Sequence, residues 1–395
     1  MKTKVLFVMS NLTSGGAEKS LLSVLQAMDY TRYEVDLFLF KHEGLFFGSV
    51  PSQVNVLPAP PLYPLFDTAI GKGIAGLLKR GKPHLALHRV RLGYIHRTET
   101  RPAVREQRAW RHLSPMLPKL VRDYDVAIGY LENNPVRFVV DRVRAKIKIG
   151  YIHNDYDKLG MDPVLDDAYF AKLDSLVTVS EECGNVLRNR FPAYQDKVRV
   201  IHNLVSPDVI RAMADNPVEW ETSKAFRIVT VGRLHPQKGY DMALEACKLL
   251  ADEGLDIQWY VIGEGEERNN LEREIERLEL QDRFKLLGVQ ENPYPYVGQA
   301  DLYVQPSRFE GKSIAIDEAK ILHKPIVVTR FTTAGDQIRT EENGLIVEMN
   351  AKSLGEGIKR LLRDEPLRLR FAGNLAQEEL STESEINKLY ELFKS

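Results

Sequence analysis

Phe226-Arg227-Ile228-Val229-Thr230-Val231-Gly232-Arg233-Leu234-His235-Pro236-Gln237-Lys238-Gly239 decides the fold. Phe226–Val231 is a short, β-rich apolar run, and Gly232 and Pro236 break it. Tyr240–Asp252 follows with apolar residues at helical spacing. A strand that passes through a glycine loop into a helix is the repeating unit of a parallel α/β sheet. The loop then lies beyond the strand's carboxyl end, where such sheets bind ligands. It carries two cations, Arg233 and Lys238, on either side of Pro236. A planar fork and a point charge at that edge suit a diphosphate. The plainer reading is a pair of solvated loop cations.

Downstream the alternation continues. Strands are expected at Gln258–Ile262, Phe284–Leu287, Leu302–Gln305, Ile326–Thr329 and Leu345–Val347. Helices are expected at Tyr240–Asp252, Glu266–Leu278, Ile314–Leu322 and Leu354–Leu362, and the tail after Leu367 reads as mostly helical. Upstream, residues 203–225 break the pattern with Asn203, Pro207, Asp208, Asn216 and Pro217, and read as a connection. Before it stand apolar runs at Val5–Met9, Val35–Phe40, Val126–Tyr130, Ile147–Ile152 and Leu176–Val179, with helical spacing at Ala17–Met28 and Glu181–Arg190. Such continuous apolar runs fit strands covered on both faces. The expectation is an α/β chain of two Rossmann-like, doubly wound domains facing across a cleft. Residues 1–205 form the first and 206–379 the second. A C-terminal helix over 380–395 is expected to pack back on the first.

The bulk numbers agree with two domains. The chain has 395 residues, 44% of them hydrophobic, and a net charge of −1. That length exceeds one ordinary core, and that charge excludes a general nucleic-acid binder. Cys183 and Cys247 read as two buried thiols in a reducing compartment. The first apolar run is too short for a signal peptide, and no uncharged run of about 18 residues spans a membrane. The expected location is the cytoplasm, with peripheral attachment to the inner face of the cell membrane.

One region departs from the rhythm. Between Lys72 and Arg111 there are eleven Lys and Arg against two acids, Glu99 and Glu106. Leu77, Leu78, Leu85, Leu87, Val90, Leu92, Tyr94 and Ile95 are interleaved. This reads as one or two basic amphipathic helices inserted in the first domain. The alternatives are a solvated face or an anionic membrane surface, which Arg89, Arg91, Arg97 and Arg101 would serve.

Two further stretches carry chemistry. Ser10-Asn11-Leu12-Thr13-Ser14-Gly15-Gly16-Ala17-Glu18 is a strand-to-helix turn whose glycines admit a phosphate or sugar close to the backbone. It lacks the Gly-x-Gly-x-x-Gly spacing of dinucleotide sites. Arg308-Phe309-Glu310-Gly311-Lys312-Ser313-Ile314-Ala315-Ile316-Asp317-Glu318 follows a strand and opens a helix. Glu310 falls in the loop and Glu318 a turn into the helix, so the two can touch two ends of one ligand. Gly311 to Ile314 can offer N–H groups to phosphate.

Taken together these features resemble family 4 of the retaining glycosyltransferases, which have the GT-B fold. The matching residues are Gly15-Gly16-Ala17-Glu18, His153 after Ile147–Ile152, Ser180, Val200-Ile201-His202-Asn203, Gly232-Arg233-Leu234, Lys238-Gly239, Ile262-Gly263-Glu264-Gly265, Glu310 and Glu318. They run through nearly the whole chain in order. The resemblance implies that Glu310 holds donor-sugar hydroxyls near the anomeric carbon, and that Glu318 takes the ribose. Arg233 and Lys238 would neutralise the leaving diphosphate. Gly15 and Gly16 would close over the donor, and His153 would touch its sugar. Gly288 and Val289 would meet the base, and Gly263 and Gly265 would shape the wall. Gly311, Lys312, Ser313 and Ile314 would line the donor. Lys312 and Ser313 stand where the family commonly has other residues, so the chain departs from it at the donor sugar. Asn154 and Asp155 are the acceptor-side candidates.

The implied reaction is retaining transfer of a hexose from a nucleotide sugar, UDP-linked, to a glycan or lipid-linked acceptor in cell-surface polysaccharide synthesis. No cofactor and no metal are expected. Two Asp-x-Asp pairs, Asp123–Asp125 and Asp155–Asp157, could hold a metal in a different transferase fold, but Arg233 and Lys238 already supply positive charge. Two other functions compete: a GT-B nucleotide-sugar epimerase, and a non-catalytic nucleotide-sugar-binding scaffold.

Overall fold

A computed structural model describes residues 2–13, 15–218, 220 and 225–394. It divides into two compact units, one built mainly from Ala17–His202 and one from Asn203–Ser384, with Glu385–Ser395 returning to the first.

The first unit is a parallel sheet of seven strands: β1 (Thr3–Met9), β2 (Tyr33–Leu39), β3 (Asn55–Val56), β4 (Asp123–Gly129), β5 (Arg144–Ile152), β6 (Ser175–Thr178) and β7 (Val198–Val200). Their order is β3-β2-β1-β4-β5-β6-β7. Val5 lies between Val35 and Val126, and all of Val5–Met9 is buried. Helices cover both faces, which is why these strands read as apolar runs without alternation. The edge strands β3 and β7, two and three residues long, gave no such signal.

The second unit repeats the plan with β8 (Phe226–Val231), β9 (Ile257–Ile262), β10 (Phe284–Leu286), β11 (Leu302–Gln305), β12 (Ile326–Thr329) and β13 (Leu345–Val347). The order is β10-β9-β8-β11-β12-β13, again all parallel. In both sheets the winding reverses once, between β1 and β4 and between β8 and β11. Crevices beyond the carboxyl ends of those strand pairs are the ligand positions of doubly wound sheets.

The basic region folds as three helices, Ile70–Lys79, Pro83–Thr98 and Pro102–Leu113, rather than one or two. Pro83 and Pro102 sit at helix starts, where the missing N–H costs nothing, so each proline opens a new helix. The helices belong to the core. Leu77, Leu85, Leu92, Trp110 and Leu113 pack with Leu6, Val8, Phe38 and Phe138. A buried polar network anchors the last of them. Arg137 pairs with Asp166 at 2.6 Å, and Asp166 also accepts from Gln107 Nε2 (2.6 Å) and the Tyr156 hydroxyl (2.8 Å).

The returning helix is Glu385–Leu392, shorter than the expected 380–395. Thr382 stays with the second unit, because its hydroxyl donates to Asn203 O and accepts from Val205 N. Tyr390 stacks on Tyr33 at 4.8 Å, and its hydroxyl accepts the Asp29 N–H at 2.8 Å. Of the expected connection 203–225, residues 219 and 221–224 lie outside the described residues, as does Ser14. Pro207–Ala214 within it is a helix.

Trp110→Ala tests whether the inserted helices are core. It should cost about 3–5 kcal/mol, seen in denaturant unfolding as a weaker first transition with the second unit unchanged. A cost below about 1 kcal/mol would mean the insertion is a surface appendage.

Candidate active site

At the carboxyl ends of β8 and β11 two loops are locked together. Lys238 Nζ donates to Glu310 Oε1 at 2.6 Å. The same oxygen accepts from Ser307 Oγ (2.6 Å) and Gln305 Nε2 (3.2 Å). All these bonds converge on Oε1, and Oε2 takes none among the described residues. Glu310 is thus a buried carboxylate with one oxygen fixed and the other available for hydroxyl donors. Lys238 keeps two of its three N–H bonds for another anion. Arg233 is exposed and has no ion pair among the described residues.

The lock has identifiable parts. Gly239 adopts φ 66°, and a Cβ there would come within 2.1 Å of Pro306 O, so only glycine lets the loops approach. Arg308 forks onto Asp241 and bonds Pro236 O at 2.9 Å. Its backbone N–H donates to Gln237 O at 2.7 Å. Arg308 was not assigned a role from sequence. It clasps the two loops and so positions the Lys238–Glu310 pair.

Glu318 lies one turn into the helix Ile314–Ile321, buried, with Oε1 accepting from the Tyr294 hydroxyl at 2.9 Å. Beside it that phenol is pushed well up, by burial first and then by the carboxylate. The expected row of open N–H groups at Gly311–Ile314 is interrupted. The Ser313 N–H donates to Gln337 Oε1 at 2.9 Å, and Gln337 Nε2 returns to Ser313 O at 2.8 Å. A side-chain amide at the end of the next helix, Ala334–Gln337, claims that donor, which no local pattern reveals. Lys312 Nζ stands 3.8 Å from Asp317. Gly263 adopts φ 149°, and a Cβ would lie 2.0 Å from Gly232 O, so the β8 and β9 loops touch backbone to backbone; Gly265 approaches Leu234 O as closely. Gly288 O is taken by the Gly263 N–H at 2.9 Å. Exposed Val289 has no backbone bond in the loop among the described residues, which leaves its N–H and C=O open to a planar base.

Further candidates lie in the segments after β1, β4 and β5. Gly15 is buried, and Gly16 opens the helix Gly16–Ala27, with Glu18 in its first turn accepting from the Thr13 hydroxyl at 3.1 Å. His153 is buried against Tyr130 and Tyr151. Its Nε2 lies 3.0 Å from Tyr130 O. A carbonyl can only accept, so Nε2 carries the proton and Nδ1 is an acceptor. Burial pushes the imidazole down to about 4, against the Tyr130 carbonyl, which raises it. The ring is therefore neutral near pH 7 and can receive a hydroxyl.

Asp155, an acceptor-side candidate, has one oxygen engaged by its own turn. It is buried, and Oδ1 accepts the N–H groups of Asp157 (3.0 Å) and Lys158 (3.2 Å), so it shapes its own turn. Asn154 Nδ2 reaches Glu132 Oε1 at 3.4 Å, and the His153 N–H donates to Glu132 Oε2 at 3.0 Å. Glu132 thus positions His153 and went unnoticed in the sequence. So did Glu106, which takes the side-chain amides of Asn134 (2.9 Å) and Asn133 (3.1 Å). Glu106 is open to solvent on one side, yet its carboxyl is pushed up to about 7, by desolvation first and by Glu132 next. Buried Asn133 Oδ1 and Asn134 Oδ1 have no partner among the described residues, and Asn133 holds φ 68°. The Asp-x-Asp pairs are committed elsewhere: Asp123 to Arg144 (2.8 Å), Asp125 to Lys146 (2.7 Å) and Asp157 to Arg190 (2.8 Å).

Two Rossmann-like units in tandem, with this cradle in the second, define the GT-B fold. Solved structures agree. Anabaena HepE in complex with UDP superposes with a TM-score of 0.66 at 16% identity, covering 98% of this chain and 99% of that one. A Staphylococcus aureus TarM variant in complex with UDP, Fondaparinux and alpha-GlcNAc-glycerol gives 0.70 at 15%, covering both chains fully at 100%. Residues 215–377 match the family model "Glycosyl transferases group 1". Among curated proteins, the chain is 25% identical over 248 residues to the N-acetylgalactosamine-N,N'-diacetylbacillosaminyl-diphospho-undecaprenol 4-alpha-N-acetylgalactosaminyltransferase of Campylobacter jejuni, spanning 62% of this chain and 66% of that one. It is 24% identical to the poly(ribitol-phosphate) alpha-N-acetylglucosaminyltransferase of Staphylococcus aureus, over 57% of this chain and 44% of that one. The chain thus spans 66% and 44% of the length of these two relatives.

His153 gives a pH test. The folded protein disfavours its charged form, so the unfolded chain binds the extra proton between about pH 6.5 and 4. Stability therefore falls as pH drops through that window, by about 3 kcal/mol from this group. His153→Gln should remove that part of the slope in denaturant unfolding at pH 7 and pH 4. Parallel slopes for the two proteins would show that the ring titrates normally.

Proposed function

We propose that this protein is a retaining, metal-independent glycosyltransferase that moves a hexose from a UDP-linked sugar to a glycan or lipid-linked acceptor in cell-surface polysaccharide synthesis. The observation that carries the proposal is the Lys238–Glu310 pair at 2.6 Å with Arg233 open beside it in the loop after β8. A carboxylate with one free oxygen suits sugar hydroxyls, and adjacent cations suit a diphosphate. Val289 and Glu318 would take the base and the ribose. The name of one relative, which includes a diphospho-undecaprenol acceptor, supports a lipid-linked substrate.

The chemistry follows from charge. The bond between the anomeric carbon and the β-phosphate oxygen breaks, and its electron pair goes to the phosphate. Lys238 and Arg233 stabilise that charge as it grows, where water is partly excluded. The acceptor hydroxyl attacks from the same face, and its proton passes to the departing phosphate oxygen. Fixed cations make a divalent ion unnecessary for this step. His153, neutral, accepts a donor-sugar hydroxyl, and Glu132 holds it in place.

Release of UDP from a panel of UDP-sugars, with and without membrane extract, tests the reaction. Release should require acceptor; conversion of the UDP-sugar into a second UDP-sugar without UDP release or acceptor would indicate an epimerase, and UDP binding with neither release nor conversion a scaffold. Lys238→Ala and Glu310→Ala should each lower the rate by roughly 10²–10³, with a cooperative melting transition kept but lowered, because each leaves its partner unpaired. Full activity in either variant would remove the pair from the site.

A further inference from the structure

We propose that the outer face of the helix Pro83–Thr98, with Ile70 beside it, is a docking surface for an anionic lipid bilayer. This deepens the reading of a membrane-linked acceptor but rests on separate observations.

The helix is apolar on two opposite sides. Leu85, Leu92 and Ile95 are buried in the core of the first unit. An ordinary surface helix would be polar on the other side. Here that side carries Leu87, Val90 and Tyr94, spaced as i, i+3 and i+7, and they are 51%, 49% and 69% exposed. At about 100° per residue they span roughly 60° of the helix surface, with Arg97 just beyond one flank and Arg91 beyond the other. Ile70, 46% exposed, widens the stripe. It rests on Gly93 so closely that a Cβ there would come within 2.8 Å of its Cδ1. Five of the twelve large apolar side chains exposed among the described residues fall between Ile70 and Tyr94. That concentration distinguishes a patch from scattered surface residues.

Charge decides the occupant. Lys72, Lys79, Lys82, Arg91 and Arg97 are exposed and enter no ion pair among the described residues. Neither acid of the region is left to offset them. Glu99 is held by Arg101 (3.2 Å) and Arg108 (3.0 Å), and Glu106 by two asparagines. An apolar stripe bordered by unpaired cations matches the acyl boundary and anionic headgroups of a leaflet, with Tyr94 at the interface. Arg89 does not take part. It is buried, donates to Leu65 O (3.3 Å) and Thr68 O (2.6 Å), and lies over the Phe66 ring. Counting it among the membrane-facing cations was wrong, because helical rotation turns it inward.

Flotation of the full chain with equimolar phosphatidylglycerol–phosphatidylcholine vesicles, against pure phosphatidylcholine vesicles, tests this. The wild type should bind the anionic vesicles and be released by high salt. Arg91→Gln with Arg97→Gln should weaken binding roughly 30-fold, about fivefold for each cation. Leu87→Ser, Val90→Ser and Tyr94→Ser together should abolish it. Both variants should keep the wild-type melting transition and UDP affinity, and the exposed arginine pair carries the test if the triple variant misfolds. Equal binding to neutral vesicles, no binding, or unaltered binding by the arginine variant overturns the proposal. So does a wild type that ignores vesicles but forms a dimer that Tyr94→Ser splits. Loss of transfer to a soluble acceptor with vesicle binding intact would sink the catalytic reading instead.

Discussion

Lys238 and Glu310 are 72 residues apart in the chain and 2.6 Å apart in space, and each is largely withdrawn from water. Two opposite charges so placed are tolerable only when the geometry is tight and the remaining hydrogen bonds are made; losing one partner strands the other. Much of the second unit meets that requirement. β8 and β11 are neighbours in the sheet, so their carboxyl-end loops start side by side. Gly239 lets one loop pass under Pro306, Arg308 grips Asp241 across the gap, and Gln305 and Ser307 fix the carboxylate. The result is a preorganised site, with one free carboxylate oxygen and uncommitted cationic N–H groups that need not reorganise when charge develops.

The first unit carries different chemistry at the carboxyl ends of its central strands. Its residues after β4 and β5 are a neutral imidazole, two carboxylates and side-chain amides. Burial, not a neighbouring charge, sets the state of His153, and the Tyr130 carbonyl sets its tautomer. Such groups suit hydroxyls, whereas the cations of the second unit suit phosphate.

The inserted helices show how one segment can serve two solvents. Trp110, Leu85 and Leu92 complete the core, while Leu87, Val90 and Tyr94 leave it. Residues that look equivalent in composition divide by rotation about a helix axis. Arg89 and Arg91, two positions apart, end on opposite sides, one bonded to backbone carbonyls and one in water.

The sequence by itself determined the two doubly wound sheets, because strands covered on both faces must be continuously apolar and glycine loops must follow them. It also placed Arg233, Lys238, Glu310, Glu318 and His153 at carboxyl ends of strands, since that follows from strand-loop-helix order alone. The edge strands β3 and β7 were too short to leave a pattern. Only the tertiary structure decided which groups were already spoken for. Gln337 takes the Ser313 N–H, Asp155 folds back on its own turn, and Arg308 joins Asp241 rather than a ligand. Glu106 and Glu132 likewise acquire meaning only beside the asparagines and His153 that they hold. The physical reason is the same throughout. Periodicity and loop chemistry are local, whereas a hydrogen-bond partner from a distant element, or the side of a helix that meets the core, is set by packing between segments that no local pattern connects.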